Sequence, residues 1–387
     1  MVNGPLWCYF YAMKYVDNEN PMASMRFSCT QVSPNSLVYG TEDDLRKGFA
    51  SIQTYAKPER VFVENNCSVS LVGDDVQGIA DQMDIPWPVY AMDSGGMKGS
   101  FEAGYSAASL RIEKEMKTKE KIPASVNVLG LSTVHMKGRE DAEEIRRLLS
   151  LCGIRVISMP GGGSNWDDIM DAPSASLNIV VRDELGLSLA KQMEQDFGTP
   201  YMSCGLPYGT DGTLAWLSEI TEKLGAGELT RASHEASKLK EFLLRKGNNL
   251  ESLWGPLWFD AVLISAPPSE ALGIAETIRS EWIDTARLVI HAPCATEKTT
   301  PAADAIRIVM KNEKEITQDY EDWLGGLILA SSHETHLLTR MGKPFTGFHI
   351  ALPSHDEVHF SDLPQCGLRG AGYLYEQLWN AKLRKQR

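Results

Sequence analysis

The sequence predicts an α/β protein made of three doubly wound, Rossmann-like domains with parallel sheets. Short segments of apolar residues with branched side chains recur along the chain. Each is followed by an amphipathic helical pattern that ends near a glycine. Strands that are apolar throughout are typical of parallel sheets with helices on both faces. The length of 387 residues also exceeds that of one ordinary domain.

The strand-and-helix pattern starts at three places. RVFVENN (60–66) precedes the helical pattern VQGIADQM. ASVNVLGLS (124–132) precedes EDAEEIRRLLSLCG, and FDAVLISAPP (259–268) precedes ALGIAETIRSEW. In sheets of this kind the loops after the strands carry function, so we expect the site on such loops.

Composition shifts suggest where the domains meet. A charged stretch, KTKEKIPAS, lies near residue 122, and LWGP lies near residue 255. We predict a first Rossmann-like domain at 1–122, a second domain with a helical link at 123–255, and a third at 256–387 that ends in a helix.

Composition and charge exclude some functional classes. The net charge of −13 argues against nucleic acid as the main partner. The longest apolar runs are only strand-length, so we expect no membrane span. The start MVNGPLWCYFYAM lacks the features of a signal peptide, and we expect a cytoplasmic location.

The cysteines form no local ligand pattern. Their odd number and wide spacing argue against a disulfide framework, and the absence of a C-x-x-C pair argues against a local zinc site. A cluster would therefore gather ligands from distant loops or from another chain. The seven cysteines are Cys8, Cys29, Cys67, Cys152, Cys204, Cys294 and Cys366.

Cys67 is predicted to lie on a strand-to-helix loop, where a thiolate can be exposed. It follows an apolar strand and precedes a helical pattern, and a helix N-terminus favours a thiolate. The alternative is a buried, inert thiol. Cys8 follows a predicted turn at Gly4 and Pro5, and Cys29 precedes a second turn at SPNS.

Other candidate residues carry a weaker signal. Gly95 and Gly96 could let backbone approach a cofactor closely, or could form a plain turn. PGGG at 160–163 lacks the phosphate-loop spacing and its lysine, and we interpret it as a turn. We predict no ligand role for the histidines considered: His333, His336, His355 and His359.

Several segments together resemble subunits of the nitrogenase component 1 superfamily. NGPLWCYFYAMKYV resembles the family's HG-x-x-GC-x-x-Y segment, and ENNCSVSLVGDD resembles its cysteine just before IGDD. MDSGGMKGSFEAGY resembles PSF-x-GSH-x-x-GY, and a further match covers FHIALPSHDEVHFSDLPQCGLRGAGYLYEQLWN. The matches are in order and extend over nearly the whole chain.

The resemblance implies an iron–sulfur cluster at a subunit interface. FSCTQVSPNSLVYG is similar to a β-subunit segment, which implies that Cys8 and Cys67 are cluster ligands. The family's further cysteine before the Cys8 position has no counterpart here. The cluster is then a P-cluster-like 8Fe–7S group or a 4Fe–4S cubane, completed by a partner or by a substitute such as Cys29.

The resemblance also implies which subunit holds the catalytic cofactor. The α subunit's cofactor cysteine would fall near LNIVVRD, where this chain has Val180, Val181 and Arg182. The metallocofactor would therefore lie in an α-like partner within an α2β2 heterotetramer. A separate ATP-dependent iron–sulfur reductase protein would deliver the electrons.

The resemblance leaves the reaction open among several classes. The chain's length and its missing cysteine disfavour nitrogen fixation, and methylthio-alkane reduction is the specific expectation. Tetrapyrrole reductases have cysteine segments that differ from these. The alternatives are a non-catalytic scaffold for metallocofactor assembly and a metal-free binding protein with the same fold.

Overall fold

The computed structural model separates into two compact units, residues 1–115 and 116–387. Among the described residues, no helix combines the length and hydropathy that crossing a bilayer requires. The structure describes residues 1–19, 23–92, 95–292, 306–310, 313–357 and 359–385.

The first unit contains a three-stranded parallel sheet. Its strands are β1 (Val2–Asn3), β2 (Val61–Asn65) and β3 (Val89–Met92), with β2 in the centre. The helices around it are α1 (Leu6–Glu19), α2 (Ser36–Tyr39), α3 (Glu42–Tyr55), α4 (Cys67–Ser70), α5 (Val76–Asp81) and α6 (Phe101–Glu113), with a 3₁₀ turn at Ala23–Arg26.

Apolar side chains from helix and sheet form the core of this unit. Leu45 and Phe49, four residues apart on α3, are both buried and pack with Val61 and Val63 of β2. This spacing places both side chains on one helical face, which therefore faces the sheet.

The second unit contains two further parallel sheets. One has the order β5-β4-β6-β7 and the other the order β10-β9-β8-β11-β12. The strands are β4 (Ile122–Leu129), β5 (Arg155–Ser158), β6 (Ala175–Val180), β7 (Tyr201–Ser203), β8 (Trp258–Ser265), β9 (Asp284–Ala292), β10 (Ile306–Met310), β11 (Leu327–Ala330) and β12 (Thr346–His349).

Helices follow most of these strands. One buried hydrophobic cluster includes residues of both sheets, such as Val126 and Val262. The helices are α7 (Gly138–Leu151), α8 (Trp166–Asp171), α9 (Asp183–Phe197), α10 (Thr210–Leu224), α11 (Thr230–Trp254), α12 (Pro268–Thr277), α13 (Glu313–Glu321), α14 (Ser332–Arg340) and α15 (Gly367–Lys385), with a 3₁₀ turn at Ala172–Ser174 and a π turn at Ile278–Trp282.

The predicted α/β class with parallel sheets is confirmed. The segments predicted as strands near 60–66, 124–132 and 259–268 form β2, β4 and β8. The sequence pattern did not predict β1, which has two residues, or the helix α1, which begins two residues before Cys8. The domain boundaries at 122 and 255 stay predictions.

Candidate functional site

Cys8 lies in the first turn of α1, just beyond the carboxyl end of β1. The strand ends at Asn3, the chain turns at Gly4 and Pro5, and the helix begins at Leu6. Pro5 supplies the carbonyl that accepts a hydrogen bond from the Cys8 amide at 3.1 Å. The cysteine side chain is exposed, so the turn at Gly4 and Pro5 places a thiol at the surface.

Cys67 has an equivalent place after β2. The strand ends at Asn65, Asn66 caps the next helix, and Cys67 is the first residue of α4. The Asn66 side-chain oxygen accepts hydrogen bonds from the Val69 amide at 3.0 Å and the Ser68 hydroxyl at 3.1 Å. This cap is a local reason for the helix to start at Cys67, whose thiol is exposed.

The parallel pairing of β1 with β2 brings these two loops together. Asn3 and Asn65 are register partners, so both strands end at the same edge of the sheet. The Asn66 amide nitrogen donates a hydrogen bond to the Cys8 sulfur at 3.3 Å. Cys8 therefore contacts the residue that immediately precedes Cys67, although the two cysteines are distant in sequence.

A buried network of polar side chains connects the ends of β1 and β2, from which the two cysteine loops start. The amide nitrogen of Asn3, which is fully buried, donates to the Thr41 hydroxyl at 3.1 Å and to the Asn65 side-chain oxygen at 3.0 Å. The Thr30 hydroxyl donates to the Asn3 side-chain oxygen at 2.9 Å. Because buried amides require such partners, the loops are tied to one arrangement. No sequence pattern predicted this network, although the two asparagines that end RVFVENN were a signal.

Gly95 and Gly96 lie close to the Cys67 loop. A methyl group at position 96 would come within 3.0 Å of the Cys67 sulfur. One at position 95 would lie 2.4 Å from the Ser70 hydroxyl and 3.2 Å from the Asn66 carbonyl oxygen. The two glycines begin a turn, closed by a hydrogen bond from the Lys98 amide to the Gly95 carbonyl at 2.8 Å, and this turn packs closely on the Cys67 loop.

Cys29 is nearby but differently engaged. Its thiol donates to the Gly4 carbonyl at 3.3 Å, and its sulfur accepts from the Gln31 amide at 3.4 Å. Burial raises the pKa of the Cys29 thiol, and the neighbouring Cys8 adds to this effect. Cys29 therefore loses its proton less readily than an ordinary cysteine.

Large apolar side chains surround the cysteine loops on the same elements. Trp7 is 68% exposed and Phe10 is 53% exposed on α1, and Leu71 is 70% exposed just after α4. Met97, beside the glycines, is 65% exposed. Exposed apolar side chains in this number are typical of an interaction surface.

The remaining cysteines lie elsewhere in the chain. Cys152, Cys204 and Cys366 belong to the second unit, and Cys294 lies outside the described residues. Within the described part of the chain, no group of three or more histidine, cysteine or acidic residues could by itself hold a metal ion. His336 is on the surface of α14, 3.5 Å from Asp356.

The segment LNIVVRD ends in a buried ion pair. Arg182 is fully buried and donates from Nε to Glu270 Oε1 at 2.8 Å and from Nη1 to the Gly130 carbonyl at 3.3 Å. A second carboxylate, Asp141, lies 3.9 Å from the guanidinium. Its Oδ1 accepts the backbone amides of Gln365 at 2.7 Å and Cys366 at 2.9 Å.

The pKa values of these two carboxylates, Asp141 and Glu270, are shifted in opposite directions. Burial raises the pKa of Asp141 to about 6, and Arg182 only partly offsets this. Burial alone would also raise the pKa of Glu270, but Arg182 and His135 lower it to about 2. One guanidinium therefore neutralises Glu270 and leaves Asp141 as an excess charge.

Asp141→Asn is expected to stabilise the protein at neutral pH. The carboxyl binds its proton more tightly in the folded state, with a pKa of about 6 against an ordinary value of 3.8. Stability should thus fall by roughly 3 kcal/mol as pH rises from about 4 to above 6. Denaturant unfolding between pH 4 and 8 should give a flatter profile for the variant.

The matched control is Asp211→Asn, which removes an exposed carboxylate paired with Lys240. The Asp211→Asn variant should show the same dependence of stability on pH as the wild type. An Asp141→Asn profile that follows the wild type would contradict the expected titration of Asp141.

On the expectation from the sequence that Cys67 binds iron of a cluster, Gly96→Ala should weaken the retention of that iron while leaving the fold intact. The new methyl group would lie 3.0 Å from the Cys67 sulfur at an exposed position. Groups just outside a metal's ligands typically change its affinity by roughly 10–100-fold. Iron release to a chelator should be faster than in the wild type. Gly212→Ala, whose methyl group meets nothing nearer than 3.9 Å, should release iron at the wild-type rate.

A model of the nitrogenase component 1 type oxidoreductases matches residues 1–383. The chain belongs to this family. The family resemblance found in the sequence is thus confirmed.

Two relatives illustrate the range of the family. The cofactor biosynthesis protein NifE of Clostridium pasteurianum is 29% identical over 260 residues, which are 65% of this chain and 54% of that protein. A light-independent protochlorophyllide reductase subunit from Prosthecochloris aestuarii is 23% identical over 369 residues, which are 88% of this chain and 67% of that protein. The chain thus spans about half the length of the Clostridium protein.

The fold matches that of a solved structure in this family. A nitrogenase Cp1 structure at pH 6.5 superposes with a TM-score of 0.78 at 17% identity. The match covers 100% of this chain and 88% of the other. The α/β architecture with its parallel sheets is therefore that of nitrogenase component 1.

Proposed function

We propose that this chain is the β-like subunit of a nitrogenase-like two-component reductase. One observation carries the proposal: two exposed cysteines, Cys8 and Cys67, lie on adjacent loops at one edge of a parallel sheet, joined through Asn66. Their thiolates would hold an iron–sulfur cluster shared with an α-like partner.

The residues present fit such a group as one half of a site. Iron–sulfur cubanes use four cysteine thiolates, and this chain offers two exposed ones, with Cys29 beside them. Exposed thiols among exposed aromatic side chains suit a site that a second subunit completes. The partner's ligands decide between a 4Fe–4S cubane and an 8Fe–7S group.

When bound, the cluster supplies one-electron transfer. The chain's own residues would position it: Cys8 and Cys67 as anchors, and Gly96 as the position that leaves space beside the Cys67 sulfur. Trp7 and Phe10 would exclude water once a partner covers them. Burial of this kind and hydrogen bonds to sulfur set the potential of such clusters.

The active site would lie in the α-like partner of an α2β2 assembly. The LNIVVRD segment, which would carry the α subunit's cofactor cysteine, supports this because Arg182 is fully buried in an ion pair there. An ATP-dependent iron–sulfur reductase protein would dock on the pair and deliver electrons. Methylthio-alkanes are the proposed substrates, which assays of the reconstituted complex would test.

The decisive experiment is anaerobic co-expression with the α-like chain. We expect the complex to contain iron and acid-labile sulfide, and its cluster to be reduced by the reductase protein only when ATP is present. A complex without iron would overturn the proposal.

The aromatic surface gives a separate prediction about the partner. Trp7→Asp should weaken subunit association by tenfold or more, since a buried tryptophan at an interface is typically worth about 2 kcal/mol. Sedimentation of the co-purified complex would measure this. Tyr55→Asp changes a side chain of α3 that is 87% exposed and should leave association unchanged. Equal association of both variants would contradict this interface.

A second candidate function is a scaffold for metallocofactor assembly. The similarity to NifE, named as a nitrogenase iron–molybdenum cofactor biosynthesis protein, favours it. Such a scaffold would pass its cluster to a recipient protein, whereas the reductase subunit would keep its iron through turnover. Iron-isotope labelling followed by mixing with unlabelled recipient proteins distinguishes the two.

A further inference from the structure

Asn66 contacts both cysteine loops through the two ends of one side-chain amide. Its oxygen accepts hydrogen bonds from the Val69 amide at 3.0 Å and the Ser68 hydroxyl at 3.1 Å, which fixes the start of the helix beginning with Cys67. Its nitrogen donates to the Cys8 sulfur at 3.3 Å. One residue therefore couples the positions of both thiols.

The orientation of this amide follows from its partners. The Val69 backbone nitrogen can only donate, so the group facing it must be the carbonyl oxygen of Asn66. A flipped amide would set two donors against each other and would aim an oxygen at the sulfur. The N–H group is therefore the end directed at Cys8.

Gly4 makes room for this arrangement. A methyl group at position 4 would lie 2.7 Å from the Asn66 side-chain carbon and 2.8 Å from its nitrogen. Asn66 is also held through its backbone amide, which donates to the Asn3 carbonyl at 3.1 Å. The side chain therefore has little freedom to leave the Cys8 sulfur.

We infer that Asn66 is a positioning residue that orients Cys8 and raises the reduction potential of the bound cluster by donating to its thiolate sulfur. The inference rests on the proposed function, since it requires the iron–sulfur cluster. An N–H donor stabilises negative charge on sulfur, and a reduced cluster carries more of that charge. Covering the loop with a partner strengthens the bond, because the local dielectric falls.

The test compares variants that keep the helix cap but remove the donor. In Asn66→Ser a hydroxyl can still cap the helix, whereas no amide remains to donate to Cys8. Asn66→Asp keeps the cap and adds a carboxylate near the sulfur. We expect both loaded complexes to have a more negative midpoint potential than the wild type in a spectroscopic redox titration, with the larger shift in Asn66→Asp.

Two further variants are measured in the same titration, one as a control and one as an independent test of the Asn66 amide. Asn165→Ser alters a comparable asparagine cap, on α8 of the second unit, and should leave the potential unchanged. Gly4→Ala retains Asn66 but crowds its amide, and should shift the potential in the same direction as Asn66→Ser.

The outcomes separate the inference from the proposed function. A loaded Asn66→Ser complex with the wild-type potential, or an Asn165→Ser complex with an equal shift, would overturn the inference. Should Asn66→Ser lose its iron, a wild-type potential in the loaded Gly4→Ala complex would overturn it equally. A wild-type complex that contains no iron would overturn the proposed function itself.

Discussion

Cys67→Ala is expected to purify anaerobically, together with its partner, with most of its iron lost. The cysteine begins α4 with an exposed thiol beside Gly96, and the proposed cluster bonds to it directly. Removing a thiolate takes away both a bond and the charge that balances the iron. Cys8→Ala should have an equally large effect, because Cys8 lies beside the same loop through Asn66.

The alanine variants should fold normally when the cluster is absent. Both thiols are exposed, so their loss opens no cavity in the core. Iron and sulfide content, with circular dichroism of the metal-free protein, separates loss of the cluster from loss of the fold. Cys204→Ala is the control, since its thiol lies in the second unit, 3.6 Å from the Val180 carbonyl. Full iron content in Cys67→Ala would contradict the ligand assignment.

The fold could be predicted from the sequence because its strands have an unambiguous pattern. All four residues of β11 are apolar and buried, and five of the six in β6 are buried. Strands of this kind are largely apolar because helices cover both faces of their sheets. The short strand β1 has no such pattern. Its two residues form a strand only because β2 and Cys29 lie beside them.

The candidate site could be predicted only in part. The family resemblance, together with the turn or strand before each cysteine, pointed to Cys8 and Cys67. The residues that position them are uncharged amides and hydroxyls such as Asn3, Thr41 and Asn66, which have no periodic pattern. Their roles depend on the register between β1 and β2, which sequence spacing does not specify.

The same limit applies to Arg182. Sequence comparison indicated only that no cysteine stands in LNIVVRD. The side chain could have pointed to solvent, as most arginines do. The fold instead buries it, because Glu270 on α12 supplies the charge that a buried guanidinium requires.

Arg182→Met is accordingly expected to destabilise the protein by about 3–5 kcal/mol, the cost of leaving a buried carboxylate without its partner. Glu270 is 3% exposed and its pKa is about 2 with Arg182 present. Without the guanidinium its ionised form loses the largest favourable interaction that it has. Denaturant unfolding at pH 7.5 should give a clearly lower midpoint.

The pH dependence of the variant should also change. In the wild type the depressed pKa of Glu270 contributes stability above about pH 4.5 that is lost as pH falls toward 2. In Arg182→Met burial is no longer opposed by the guanidinium, so the pKa of Glu270 should rise. The variant should therefore recover stability relative to the wild type as the pH is lowered.

The double variant Arg182→Met with Glu270→Gln tests whether the loss comes from the unpaired charge. Replacing a whole buried ion pair by uncharged groups of similar size is often neutral, so the double variant should be more stable than Arg182→Met alone. A double-mutant cycle with Glu270→Gln gives the coupling energy. The double variant should retain full iron content, because the cysteine loops belong to the first unit. A single variant as stable as the wild type would mean that the ion pair contributes no net stability, and that a different cause keeps Arg182 buried at this position.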